Sequence, residues 1–185
     1  QTITSDIQKV PMVDFIFPGE LIPFRDESVD AFIMIDVFHH VKDSCIFLNE
    51  MQRCLKRDGK IIMIEPANSL WGRFIWINFH HENFDPEAGW KIEGNGAMSD
   101  ANGALPWIVF SRDKDLFLNN YPMLSIEKFK CHTPLRYLIS GGLTLKQLLP
   151  GFFYPFIKII EFILSPLNYW IGMFYLIEIK KTSKK

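Results

Sequence analysis

Histidine changes charge near neutral pH, so histidine beside carboxylate is the first place to look for proton chemistry. The sequence holds five histidines, His39, His40, His80, His81 and His132, and four of them come in adjacent pairs. His80-His81-Glu82, with Asp85 close behind, has the residue types of a metal cluster or of an acid–base group. The spacing argues against the metal. Neighbours on an extended chain face opposite ways, and no two histidines lie four apart on a helix. No metal is therefore expected. Proton handling by His80, His81 and Glu82 is the chemical reading, and hydrogen bonding within a folded loop is the plain one. Cys45, Cys54 and Cys131 are odd in number and show no C-x-x-C spacing. That argues against a disulfide framework and a zinc site, and fits a reducing, cytoplasmic compartment.

These groups need a scaffold. With 185 residues, 48% hydrophobic and 22% charged, the chain has the length and composition of one folded domain, 1–185. Its 20 basic and 21 acidic residues leave a formal charge of −1, so no nucleic-acid partner is expected. Thr2–Ser5 and Val13–Phe17 are short β-branched or apolar runs. Asp30–Val37 and Lys60–Glu65 are nearly continuous apolar runs, as strands buried on both faces require. Between them, Ile46, Phe47, Met51, Cys54 and Leu55 recur at helical steps over Asp43–Lys56. Asp43 or Ser44 can cap that helix and Gly59 can end it. Strand, helix and strand with short joins predict a βαβ unit and an α/β fold. Lys114–Asn120 reads as a short helix, Leu124–Cys131 as a strand and Tyr169–Lys181 as a last strand. In such sheets ligands lie at the carboxyl ends of the strands. That rule selects Asp6, Pro18–Glu20, Asp36–His40 and Glu65–Asn68. A carboxylate at Asp6 can accept two hydrogen bonds from a ribose, or it can be an ordinary turn residue.

Four ordered blocks carry a resemblance. They are Leu21-Ile-Pro-Phe-Arg-Asp-Glu-Ser-Val-Asp30, Ile35-Asp-Val-Phe-His-His-Val-Lys-Asp43, Arg53-Cys-Leu-Lys-Arg-Asp-Gly59 and Ile62-Met-Ile-Glu-Pro66. Together they resemble class I S-adenosylmethionine-dependent methyltransferases of the type 11, small-molecule kind. The resemblance implies a Rossmann-like sheet, mostly parallel, with a terminal antiparallel strand pair. It implies S-adenosyl-L-methionine as cofactor and a small-molecule or lipid-linked methyl acceptor. Asp6, with Ile7 beside it, would meet the ribose. Gly19, Glu20 and Leu21 would lie at the adenine, though Pro18 stands where the family usually has an acid. Asp36, Val37 and Phe38 would line the methionine moiety. His80, His81 and Glu82 would deprotonate the acceptor. The family's first strand and glycine-rich loop have no counterpart here, because Gly94-Asn-Gly96 follows no strand and comes too late. The expectation is a chain that lacks its first βα unit and binds the cofactor poorly by itself. A non-catalytic or membrane-peripheral binding module derived from the same fold is the alternative.

Two segments remain. Residues 67–110 read as an insertion or lid over the substrate, rich in Trp, His, Asn and Gly. Trp71, Trp76, Trp90, Phe79 and Phe84, with Asn102-Gly-Ala-Leu-Pro-Trp107, suit either an aromatic wall or a small core. Residues 140–168 read as a helical insertion before the last strand, broken by Pro150, Pro155 and Pro166. Between Pro150 and Ile179, 20 of 30 residues are apolar. The longest uncharged run, Phe162–Ile177, is 16 residues and contains Pro166, which is short for a membrane span. Residues 150–167 can instead rest on a membrane surface, with Lys158, Lys180, Lys181, Lys184 and Lys185 near the headgroups, or pack on the last strand.

Overall fold

In the computed structural model, residues 2–94, 100–142 and 146–182 are described. Lys184, Lys185 and Gly96 lie outside them. The strands are β1 (Ser5–Asp6), β2 (Phe15–Ile16), β3 (Val29–Ile35), β4 (Leu55–Pro66), β5 (Leu124–His132) and β6 (Phe174–Lys181). The helices are α1 (Ser44–Cys54), α2 (Leu70–Phe79), α3 (Leu105–Trp107), α4 (Lys114–Asn120), α5 (Arg136–Ser140), α6 (Tyr154–Leu164) and α7 (Asn168–Ile171).

The β-branched run Ile61-Ile-Met-Ile64 forms β4, an interior strand of a four-stranded sheet ordered β3-β4-β6-β5. β3 pairs with β4 in parallel, Met34 opposite Met63, and α1 makes the crossover between them. β6 runs antiparallel to both β4 and β5, with Ile177 opposite Met63 and Phe129. β5 therefore runs in the same direction as β3 and β4. Ile61, Met63, Ile177 and Ile179 bury one face of the sheet. Phe47, Leu48 and Met51 of α1, and Leu105, Val109, Phe110 and Phe117 from the α3–α4 region, join the same core. Each such side chain fully buried stabilises the fold by roughly 1.5–3 kcal/mol. A second core holds Ile75, Trp76, Phe84, Ile108, Met173 and Phe174. Trp76 and Phe84 of the 67–110 segment thus serve packing, whereas Phe79 is exposed.

The α/β class with its terminal antiparallel pair is as expected, but three details are corrected. First, β6 is the one antiparallel strand of the four-stranded sheet, as expected, but β1 and β2 stand apart from that sheet. β1 and β2 pair only with each other, in a separate two-stranded parallel sheet, Ser5 opposite Phe15. Their four residues are all exposed, so burial does not draw them to β3. Second, α1 stops at Cys54 and β4 starts at Leu55. The register jumps between Val29↔Leu55 and Ala31↔Lys60. Gly59 serves this irregularity and not the helix end: a Cβ there would lie 2.9 Å from the Asp30 carbonyl oxygen. Third, α2 was missed because Leu70–Phe79 is apolar on nearly every side. Its start is marked by Ser69, whose Oγ accepts from Gly72 N at 2.8 Å and donates to Gly172 O at 2.7 Å.

Asp43 caps α1, its Oδ1 accepting from Cys45 N at 3.0 Å and Ile46 N at 3.2 Å. Asp43→Ala should therefore lower stability by about 0.5–2 kcal/mol, with Asp43→Asn retaining most of it. Urea midpoints of the two variants check this, and equal losses would show that the Asp43–Lys91 ion pair dominates.

Candidate active site

Glu65 ends β4 with no exposed surface. A buried carboxylate must be paired, and its partners here are three consecutive residues. Oε1 accepts from Val37 N at 3.0 Å and Phe38 N at 2.7 Å, and Oε2 lies 2.7 Å from His39 Nδ1. The turn after β3 is thereby pinned to β4. Asp36 sits at its entry with φ of 52°, a left-handed conformation rare outside glycine, while its N–H still bonds Ile64 O at 2.9 Å.

The far nitrogen of His39 meets the 80–82 segment: Nε2 lies 3.3 Å from Glu82 Oε2. His40 Nε2 is 3.6 Å from the other Glu82 oxygen, and the two imidazole centroids are 4.2 Å apart. His80 Nδ1 and His81 Nε2 are 3.8 Å and 3.7 Å from Glu82. Asn102 holds this segment in place. Its Oδ1 accepts from Asp85 N, its Nδ2 donates to Asp85 O, and its backbone N–H bonds His39 O, each at 2.9 Å. Burial works against a charged His39, but hydrogen bonds to Glu65 and Glu82 outweigh it and keep the ring protonated well above its ordinary range. The same bond from His39 holds Glu82 at about 2. Burial lowers His40 and His80, leaving them neutral near pH 7. Glu82 is thus committed as an anion, and His80 is the neutral base of the expected trio. His81 is the exposed member, with a side chain 65% accessible.

A cavity of about 420 Å³ opens beside this turn. Ile35, Asp36 and Ile64 form one wall; His132, Arg136, Tyr137, Tyr154 and Ile157 contribute to the others. His80, His81 and Glu82 are not among its lining residues. Burial raises the Asp36 carboxyl to about 6, with the Glu65 charge adding and His39 opposing. Burial and the Arg136 charge lower His132, so it faces the cavity neutral. His132 was missed as a site residue, although the carboxyl-end rule selects it once β5 is seen to run with β3 and β4. Arg136 is locked to Glu161 of α6, which also accepts from Leu135 N at 3.0 Å and Arg136 N at 2.8 Å.

The residues expected at a cofactor are spread along the other flank. Asp6 is exposed, its Oδ1 accepting from Gln8 N at 2.8 Å. Ile7, Leu21 and Val37 are also exposed. Glu20 Oε1 accepts from Lys42 N at 2.9 Å, so it serves the loop before α1. Gly19 allows close packing, since a Cβ there would sit 2.4 Å from the Phe47 ring. Phe38 packs in the core 5.0 Å from Phe110.

Residues 4–63 match the family described as "Methyltransferase domain". No curated protein matches the chain. Solved structures similar to it include a SAM-dependent methyltransferase of Methanosarcina mazei, 15% identical with a TM-score of 0.49, over 91% of this chain and 66% of the other. Another is a SAM-dependent methyltransferase of Thermotoga maritima, 18% identical with a TM-score of 0.49, over 91% of this chain and 63% of the other. A third is the geranyl diphosphate C-methyltransferase of Streptomyces coelicolor A3(2), 14% identical with a TM-score of 0.45, over 91% and 52%. The chain thus spans less than two thirds of the length of each. Within the matched methyltransferase segment lie Asp36, His39 and His40; Glu65, Glu82, Asn102 and His132 lie beyond it.

The raised Asp36 carboxyl has a stability consequence. A carboxyl lifted from about 3.8 to about 6 on folding costs nothing below pH 3.8, and its penalty grows as pH rises through 6. Asp36→Asn should therefore unfold at higher urea than the parent at pH 7.5, and the gap should close by pH 4. A gap independent of pH would show that the carboxylate charge is not what costs stability.

Proposed function

We propose that the protein transfers a methyl group from S-adenosyl-L-methionine to a lipid-linked or otherwise largely apolar small-molecule acceptor held in the cavity between Asp36 and His132. The observation that carries this reading is the cavity itself: it joins the carboxyl ends of β3 and β5, and a neutral imidazole faces it. The cofactor supplies a methyl group on a sulfonium. The exposed Asp6 carboxylate has an oxygen to spare for ribose hydroxyls, and Ile7, Leu21 and Val37 offer apolar surface. Glu20, Gly19 and Phe38 support that flank through packing and hydrogen bonds. Asp36, between the two flanks, orients the acceptor's reacting atom, and His132 takes its proton. The gain comes mainly from alignment and exclusion of water, with residues 67–110 as the covering segment.

The test is incubation of the protein, supplied with a first strand and glycine-rich loop ahead of Gln1, with methyl-labelled S-adenosyl-L-methionine and a membrane-lipid extract. Label is expected in the organic phase, and His132→Gln should slow its transfer by about 10²–10⁴-fold. The alternative proton route through His80, half-buried and neutral beside Glu82, predicts the reverse sensitivity, with His80→Gln impaired and His132→Gln normal. Absence of both cofactor binding and transfer would favour the non-catalytic binding module.

A lipid-linked acceptor is supported by α6. Among its residues only Ile157 and Glu161 are buried, while Phe156, Ile159, Ile160, Phe162 and Ile163 are exposed. The Phe152 and Phe153 rings, 4.3 Å apart, extend this surface, and Phe153, Tyr154 and Ile157 also line the cavity. No helix among the described residues is long and apolar enough to cross a membrane. Residues 150–167 would therefore rest on a bilayer, with a lipid-borne acceptor reaching the cavity from it. The protein should float with liposomes, and a folded Phe152→Ser/Phe156→Ser variant should not. Flotation of that variant would sink the membrane contact.

A further inference from the structure

We propose that His39, His40 and Glu82 form a binding site for a divalent transition-metal ion of the zinc class. The inference is independent of the methyl-transfer reading, because metal uptake is measured without cofactor or acceptor. Ligand atoms from these three side chains all lie within 4.8 Å of one another. The two distances from histidine Nε2 to Glu82 oxygens are 3.3 Å and 3.6 Å. Ligands about 2.0–2.1 Å from a tetrahedral zinc stand about 3.3 Å apart, so each histidine lies near that spacing from one of the two Glu82 oxygens.

The supporting shell is present too. His39 presents Nε2 because its Nδ1 is held 2.7 Å from Glu65, a carboxylate–histidine arrangement that fixes the ring and makes it a better ligand. Glu65 is itself fixed by the Val37 and Phe38 amides. The His40 imidazole has no hydrogen-bond partner among the described residues: Nδ1 is buried and unpartnered, and Nε2 approaches Glu82 at 3.6 Å, beyond a normal hydrogen bond. Buried imidazole nitrogens are ordinarily paired, so His40 keeps its donor capacity unspent beside a carboxylate and a second imidazole. The sequence spacing hid this site, since His39 and His40 precede Glu82 by more than forty residues and only the Asn102 bonds bring them together. Three protein ligands leave a fourth position open. The ion would replace the proton that His39 Nε2 shares with Glu82. It would tie the 80–82 segment to the turn that carries Asp36.

Cobalt(II) is the probe, followed by its visible absorption, with zinc competition and elemental analysis of the purified protein. One equivalent of cobalt should give the intense bands of a four-coordinate site, and one equivalent of zinc should abolish them. His40→Ala and Glu82→Gln should each remove the bands, whereas His81→Ala should retain them. His40 is partly exposed and unbonded, so that variant is expected to fold, which circular dichroism checks. Glu65→Gln should keep the site but weaken it by about 10–100-fold, as loss of a second-shell partner does. The proposal is overturned if the parent shows no saturable cobalt spectrum and no stoichiometric metal. It is also overturned if folded His40→Ala binds as tightly as the parent.

Discussion

The buried carboxylate of Glu65 is the constraint on which the site depends. An ionised group out of water costs several kcal/mol unless every lone pair finds a partner. Glu65 finds two amides and an imidazole, all from Val37, Phe38 and His39. Because the three are consecutive, satisfying the charge also fixes the path of the chain. One carboxylate on an interior strand thereby dictates the backbone of a turn on its neighbour. Asp36 is pushed into the left-handed region on one side of that turn, and the two imidazoles lie 4.2 Å apart, tilted to one another, on the other.

Everything nearer the surface is built outward from that turn. His39 passes the charge of Glu65 on to Glu82, so a segment without regular structure acquires a fixed anchor. Asn102 secures the same segment through its side-chain amide and its backbone, and Gly103 passes so close to Phe84 that a Cβ would fall 2.8 Å from the ring. The second core then packs beneath it. Polar anchoring above and apolar packing below explain how the described residues of the 67–110 segment are held in place.

Legibility in the sequence followed burial. β3, α1 and β4 were readable because their apolar residues repeat at the strand and helix periods, and Asp43 marked the cap. The limits of α1 were not, because Lys56-Arg-Asp-Gly59 looks like a helix end and is in fact a strand irregularity set by pairing with β3. α2 escaped because a helix apolar all round has no period to detect. The separation of β1 and β2 from the main sheet is a tertiary fact with no local signal. The first candidate residues were found at strand ends, where α/β sheets present them. His132 was overlooked because its strand returns to that end only through two antiparallel turns of the topology. The His39–His40–Glu82 grouping was invisible for the same reason: its members meet through long-range hydrogen bonds, and spacing along the chain records none of them.

The sheet also differs in character at its two ends. At the start of β3 and β4 and the end of β6, Lys56 pairs with Asp30, Lys180 with Asp58 and Lys181 with Glu27. Most of these groups are exposed, so the pairs favour solvation more than stability. The other end carries Glu65, Asp36 and His132, and from it leave α2 and α5, with α7 returning beside them. There large apolar residues are exposed: Leu70, Phe74 and Phe79 on α2, and Tyr169 and Trp170 on α7. Scattered surface apolar residues are ordinary, but a set gathered around one end of a sheet is not. A charge in such surroundings acts more strongly than one in solvent, which is why Asp36 is shifted by burial while Asp30 and Asp58 at the wet end are governed by their lysine partners.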